Sequence, residues 1–138
     1  MMQLVPVETI RRILKETKTI AVVGLSPKPS RPSHRVALYL QKVGYRIIPV
    51  NPGQEEILGQ RCYPDLLSIP DKVELVDIFR RSEDVIPIVE QAIEIGARTV
   101  WMQQGVVNQE AATLAGEAGL TVIMDRCLKI DHNQFGVS

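Results

Sequence analysis

The sequence predicts an α/β fold in which a doubly wound sheet of about five parallel strands carries helices on both faces. Two observations predict it: short continuous apolar runs, as in strands buried on both faces, and intervening segments whose apolar residues recur at helical period. A helix over about Pro6 to Thr17 comes first. The strand Thr19 to Val23, Thr-Ile-Ala-Val-Val closed by Gly24, follows it, and like runs recur at Arg46 to Val50, Val73 to Phe79, Thr99 to Met102 and Leu120 to Met124. Between them Val36, Tyr39, Leu40 and Val43 share one helix face, as do Val85, Ile88, Val89 and Ala92, and then Ala111, Leu114, Ala115 and Ala118. Gly44, Gly96 and Gly119 stand just past these patterns, and Asn108 is placed to cap the last of them. Pro87 fits if its helix begins late, at Asp84, where the first-turn N–H groups have no partner anyway.

The stretch from Asn51 to Lys72 is weakly patterned, with turns around Glu55 to Leu58 and a short helix near Asp65 to Ser68. The expectation is one domain over residues 1–138 with a short C-terminal tail after Cys127. Sixteen Lys+Arg balance sixteen Asp+Glu, and only six side chains are aromatic, so there is no basic field with stacking rings for nucleic acid. No apolar run approaches the roughly 20 residues of a membrane span, and the spacing of Cys62 and Cys127 matches no metal motif. A cytoplasmic protein with reduced thiols, monomeric or homodimeric, is expected.

In such a sheet ligands bind at the carboxyl ends of the strands, where strand order reverses. The loops concerned are Gly24 to Ser33, Asn51 to Gly53, Arg80 to Ser82 and Gln103 to Val107, and a reversal beside the first strand is expected to bring the first and fourth together. From Gly24 to Arg35 the chain holds three prolines, three serines and three fixed positive charges without an acid. Hydroxyls, cations and the free N–H groups of a helix start bind phosphate oxygens. A solvated surface loop explains the composition equally well; its position after the first strand favours a phosphorylated ligand. Gly24-Leu25-Ser26-Pro27-Lys28-Pro29 keeps only the first glycine of GxGxxG, and Val50-Asn51-Pro52 lacks the acid that holds a ribose. NAD is thereby disfavoured, NADP less so, and the absence of GxxxxGK[ST] sets aside an ordinary ATPase.

At these residues the chain resembles small standalone CoA-binding proteins of Rossmann-like, three-layer fold, similar to the N-terminal domain of the succinyl-CoA synthetase α subunit. The resemblance is carried by Val22-Val23-Gly24-Leu25-Ser26 with Lys28-Pro29-Ser30-Arg31-Pro32-Ser33, by Gly44 to Pro52, by Asp77-Ile78-Phe79-Arg80-Arg81, and by Asp125-Arg126-Cys127. It implies that Gly24, Ser26, Lys28, Ser30 and Arg31 lie along the CoA phosphates, that Asn51 and Pro52 flank the adenosine end, and that Phe79 and Arg80 line the third loop. The synthetase has a lysine near CoA after its second strand, where this chain has Pro52-Gly53-Gln54. Its phosphorylated histidine belongs to a second domain, so ligase activity is not inherited.

Pro27 belongs to the same loop, and His34, at the helix entrance, is either a phosphate donor or a surface residue. Gln104 and Gly105, with Gln103, end a strand where a ligand can approach closely. Trp101 and Met102 read as core. Cys127, flanked by Arg126 and Lys129, reads as a small buried thiol rather than a nucleophile, and Asp131 with His132 as solvated residues of a tail rather than metal ligands. The expected function is binding of coenzyme A or an acyl-CoA by a non-catalytic carrier, sensor or regulatory protein, with a protein partner allowed. An NADP-linked oxidoreductase or a Cys127-dependent acyl-transfer enzyme is the alternative.

Overall fold

Residues 5–136 are described by the computed structural model. Along the chain run α1 (Val7–Glu16), β1 (Thr19–Val23), α2 (Pro32–Lys42), β2 (Arg46–Val50), β3 (Glu56–Ile57), β4 (Gln60–Arg61), β5 (Leu75–Ile78), α3 (Val85–Glu94), β6 (Thr99–Met102), α4 (Gln109–Glu117), β7 (Thr121–Ile123) and α5 (Leu128–Phe135). Short 3-10 turns occupy Leu66–Ser68 and Ser82–Asp84. Five strands form one parallel sheet in the order β2-β1-β5-β6-β7, and β3 and β4 make a separate antiparallel hairpin. This is the Rossmann-like α/β fold expected.

Every residue of β1, β5 and β6 is buried, because helices cover both faces. Ala21, Val23, Val76, Ile78, Val100 and Met102 pack with Val85 and Val89 of α3 and Ala111 and Ala115 of α4. On the opposite face Ile20, Val22, Leu75 and Trp101 pack with Ile10, Ile13 and Leu14 of α1, Val36, Ala37 and Leu40 of α2, and Leu128 of α5. Full burial of a side chain of Leu or Ile size stabilises by roughly 1.5–3 kcal/mol, so these two layers supply the main driving force. Asn108 caps α4, its side chain accepting from the Ala111 amide at 2.9 Å, and Pro87 is exposed in the first turn of α3.

Strand order corrects one expectation. The reversal falls between β1 and β5, so the first loop adjoins the third, and β5 separates it from the fourth. Right-handed crossovers allow either order, and only the packing of whole layers decides between them.

A second correction concerns the chain after Cys127, which forms the helix α5 rather than a tail. Its buried residues are Leu128 and Asp131, and Asp131 is clasped by Arg126 through two bonds of 2.7 and 2.9 Å. The Arg126 carbonyl in turn accepts from the Trp101 indole at 2.9 Å. His132 is likewise not a free surface residue: its Nδ1 lies 2.9 Å from the Tyr39 hydroxyl, and burial lowers its pKa. Tyr45 stands edge-on to the same ring, and its hydroxyl is pushed up to about 12, chiefly by burial.

The weakly patterned stretch contains the hairpin β3–β4, turned through Leu58 and Gly59, both at positive φ. Beyond it the chain returns along the outer side of β2, where the Pro49 carbonyl accepts from the Tyr63 amide at 3.0 Å and the Tyr63 carbonyl from the Asn51 amide at 2.9 Å. Among the described residues no helix is long and apolar enough to cross a membrane.

Candidate functional site

The first loop is built from its own side chains. Gly24 turns the chain at φ +86°, and its amide donates to the Val50 carbonyl at 2.9 Å. Leu25 then drops fully into the core, and Asn51 reaches across from the second loop to donate to the Leu25 carbonyl at 2.8 Å. Ser33, in the first turn of α2, accepts from the Ser26 amide at 3.0 Å, while the Ser26 hydroxyl accepts from the Lys28 amide at 3.1 Å. His34 is buried and its Nδ1 donates to the Ser26 carbonyl at 3.0 Å, which fixes the proton on that nitrogen because a carbonyl only accepts. These bonds hold Pro27, Lys28, Pro29, Ser30 and Arg31 as an exposed crest over the start of α2.

Beside this crest lies the third loop. A Cβ at Gly24 would collide with the Phe79 carbonyl oxygen and stand 3.4 Å from Arg80 Cδ, so Arg80 reaches across the first turn. Arg80 and Pro52 share the wall of a slot of about 170 Å³ with Val23, Val50, Leu66 and Ile88, at the carboxyl ends of β1 and β2. Arg81 is ion-paired with Glu83 and Asp84, whereas Lys28, Arg31 and Arg80 have no carboxylate within ion-pairing distance among the described residues. One unpaired cation in the slot wall, with two more on the loop that leads into α2, suits a flat ring carrying phosphates.

Three larger cavities, of about 380, 390 and 330 Å³, lie elsewhere, the last of them lined by Lys15, Lys18, Tyr45 and His132. The first lies where the carboxyl ends of α1, α3 and α4 converge, at Thr17, Gly96 and Gly119, and its lining carries both cations, Arg12 and Arg98, and acids, Glu16 and Glu74. The second lies along β7, between α1 and α4, with no cationic side chain in its lining. None of the three is lined by the loops that follow β1, β2 or β5, where a sheet of this kind places its ligand.

The profile of the CoA binding domain family matches residues 18–133. The chain belongs to that family. Its similarity to a Bacillus subtilis (strain 168) protein, uncharacterized protein YneT, is 46% identity over 123 residues, covering 89% of this chain and 91% of the relative. ADP-forming acetate-CoA ligase I of Archaeoglobus fulgidus is 25% identical over 131 residues; the match covers 88% of this chain and 19% of the ligase. Among solved structures, a hypothetical protein from Pyrococcus horikoshii OT3 superposes with a TM-score of 0.93 at 46% identity, covering 95% of this chain and 92% of that one.

In this CoA-binding domain the structure brings Gly24, Ser26, Asn51, Pro52, Phe79 and Arg80 together at the reversal point. Gln104 and Gly105 stand apart from the first loop, both exposed, on the far side of the third. The walls contributed by Leu66 and Ile88 were not legible, since each lies in a segment remote from the loop it faces. Ser82 belongs to a loop expected at the crevice and Asp125 to a motif of the resemblance, but that both tie down the fourth loop was not legible in the sequence. Asp125 accepts from the Gly105 amide at 2.7 Å, and the Ser82 hydroxyl accepts from the Val107 amide at 3.0 Å.

Asp77, on β5 two residues before Phe79, is paired in register with Val22 and Trp101. It is fully buried and neither carboxylate oxygen has a hydrogen-bond partner. Burial raises its pKa well above the usual carboxylate range, so the neutral acid is the favoured form.

Proposed function

We propose that this domain binds coenzyme A or an acyl-CoA in the crevice at the carboxyl ends of β1, β2 and β5, as a non-catalytic carrier, sensor or regulatory protein. The observation that carries the reading is three unpaired cations around the reversal point: Lys28 and Arg31 on the crest that leads into α2, and Arg80, which lies over Gly24 and lines the mostly apolar slot. A volume of about 170 Å³ falls below the roughly 300 Å³ where pockets for whole small molecules begin. The slot therefore takes one flat part of the ligand, the adenine, between Pro52 and Arg80. The phosphates lie along Gly24, Ser26, Lys28, Ser30 and Arg31, close to the dipole of α2. Buried and already bonded to the Ser26 carbonyl, His34 serves by shaping the loop. The pantetheine arm leads over the third loop towards Gln104 and Gly105.

The ligase relatives, of which this chain matches a fifth or less in length, are named for joining acetate to CoA. The reading gives this chain only the holding of CoA. Half-buried Cys127, at the entry to α5, has no role in it.

Calorimetric titration of ligand-free protein with CoA, dephospho-CoA and NADP at one salt concentration tests the reading. CoA is expected to bind most tightly, and dephospho-CoA more weakly for want of its 3′-phosphate. Tighter binding of NADP than of CoA would overturn it in favour of an oxidoreductase. Replacing Lys28 and Arg31 together by Ala should weaken CoA by about tenfold, two exposed charge contacts' worth, and leave adenosine nearly unchanged. Unaltered CoA affinity in a folded double variant would show that the crest does not meet the phosphates.

A further inference from the structure

We infer that Asp125 is a positioning residue that sets the fourth loop for the pantetheine arm of the ligand, an inference that stands on the proposed CoA reading. The loop from Gln103 to Asn108 is held from both sides by other loops. On one side the Ser82 hydroxyl accepts from the Val107 amide at 3.0 Å, and the Ser82 carbonyl accepts from the Asn108 side chain at 2.9 Å. On the other, Asp125 Oδ1 accepts from the Gly105 amide at 2.7 Å, and Gln103 Oε1 accepts from the Leu128 amide at 3.1 Å. Gln104 and Gly105, at the exposed middle, are thus fixed from the side remote from the phosphates by one carboxylate.

The backbone of Asp125 supports the assignment. It lies at φ +61°, a left-handed conformation that Asp and Asn tolerate better than other non-glycine residues. A residue here must therefore combine that backbone with a side-chain acceptor of the right reach, which Asp and Asn supply. A carboxylate at the rim also repels a polyanion, so its value lies in the bond to Gly105 rather than in its charge.

Asp125→Gly keeps the backbone easy and removes the acceptor; Asp125→Asn removes the charge and keeps the acceptor. Comparing these two variants cancels the charge effect. CoA and adenosine 3′,5′-bisphosphate, which lacks the pantetheine arm, are titrated into both and into the wild type, and amide exchange at Gly105 is followed in the free proteins. Expected is CoA affinity about tenfold lower in Asp125→Gly than in Asp125→Asn, roughly the equilibrium value of one hydrogen bond. The bisphosphate should bind both alike, and exchange at Gly105 should be faster only in the Gly variant.

Equal CoA affinity in the two variants overturns the inference, as does an equal loss for both ligands, which marks a general structural defect. Failure of the wild type to bind either ligand instead overturns the CoA reading itself, and the inference with it. Ser82→Ala, which removes the acceptor at the loop's other margin, should give the same split between ligands and serves if the Gly variant does not fold.

Discussion

Gly24→Ala should lower stability by about 4 kcal/mol, a large share of what a domain of this size possesses. Two costs combine. A left-handed backbone at φ +86° costs an alanine roughly 1–2 kcal/mol. The new methyl then meets the Phe79 carbonyl, which cannot retreat freely because the Phe79 amide is bonded to Val23 at 2.8 Å in the β1–β5 ladder. Overpacking of that kind adds roughly 1–3 kcal/mol. Gly53→Ala is the control, since φ is +85° there and a Cβ would meet nothing within 4 Å. Urea denaturation of both variants separates backbone conformation from collision; equal losses would mean the two loops are not in contact at the reversal point. The same change should weaken ligand binding, because Arg80 lies over Gly24.

Asp77→Leu should instead stabilise the protein, by about 2 kcal/mol at pH 7. Leucine has the same branching and heavy-atom number as aspartate, and it places methyls where two oxygens have no partner. The effect should depend on pH with a definite sign. Burial raises the folded-state pKa, while the unfolded carboxyl titrates near its ordinary value, about 3.9. Between those two pKa values the folded protein binds more protons, so wild-type stability falls as pH rises through that window. The advantage of Asp77→Leu over wild type should therefore be small below about pH 4 and grow above it. Asp77→Asn, uncharged but still polar, should lose the pH dependence with less gain in stability. Denaturation midpoints at acid, neutral and mildly alkaline pH measure this, and a leucine variant less stable than wild type at neutral pH would show that the carboxyl has a partner.

Much of the fold could be read from local pattern. β1, β2 and β6 fall on the residues expected, because each is a continuous apolar run with polar or glycine residues at its ends. The position of β5 in the sheet could not be read, since no local feature tells a strand on which side of β1 to lie. α5 escaped for a specific reason: its buried residues include Asp131 while Ile130 is 53% exposed, so apolar periodicity points the wrong way. The hairpin was hidden similarly, as Leu58 at positive φ is not the Asn or Asp that marks such turns. For the candidate site, composition singled out the crest from Pro27 to Arg31, because its prolines, serines and cations are consecutive in the chain. The slot wall and the ties at Ser82 and Asp125 join residues distant in sequence, and only the folded chain brings them together.

The outer side of β2 bears on how the protein behaves when crowded. Proline at position 49 presents no N–H there, and the neighbouring carbonyl and amide are already taken by Tyr63. A second chain arriving at that margin finds few free rungs for strand pairing. At the opposite margin β7 offers only three residues, a length that gives a foreign strand little purchase. Both borders of the sheet thus resist edge-to-edge growth into aggregates, leaving the loop crown open to small molecules without inviting polymerisation.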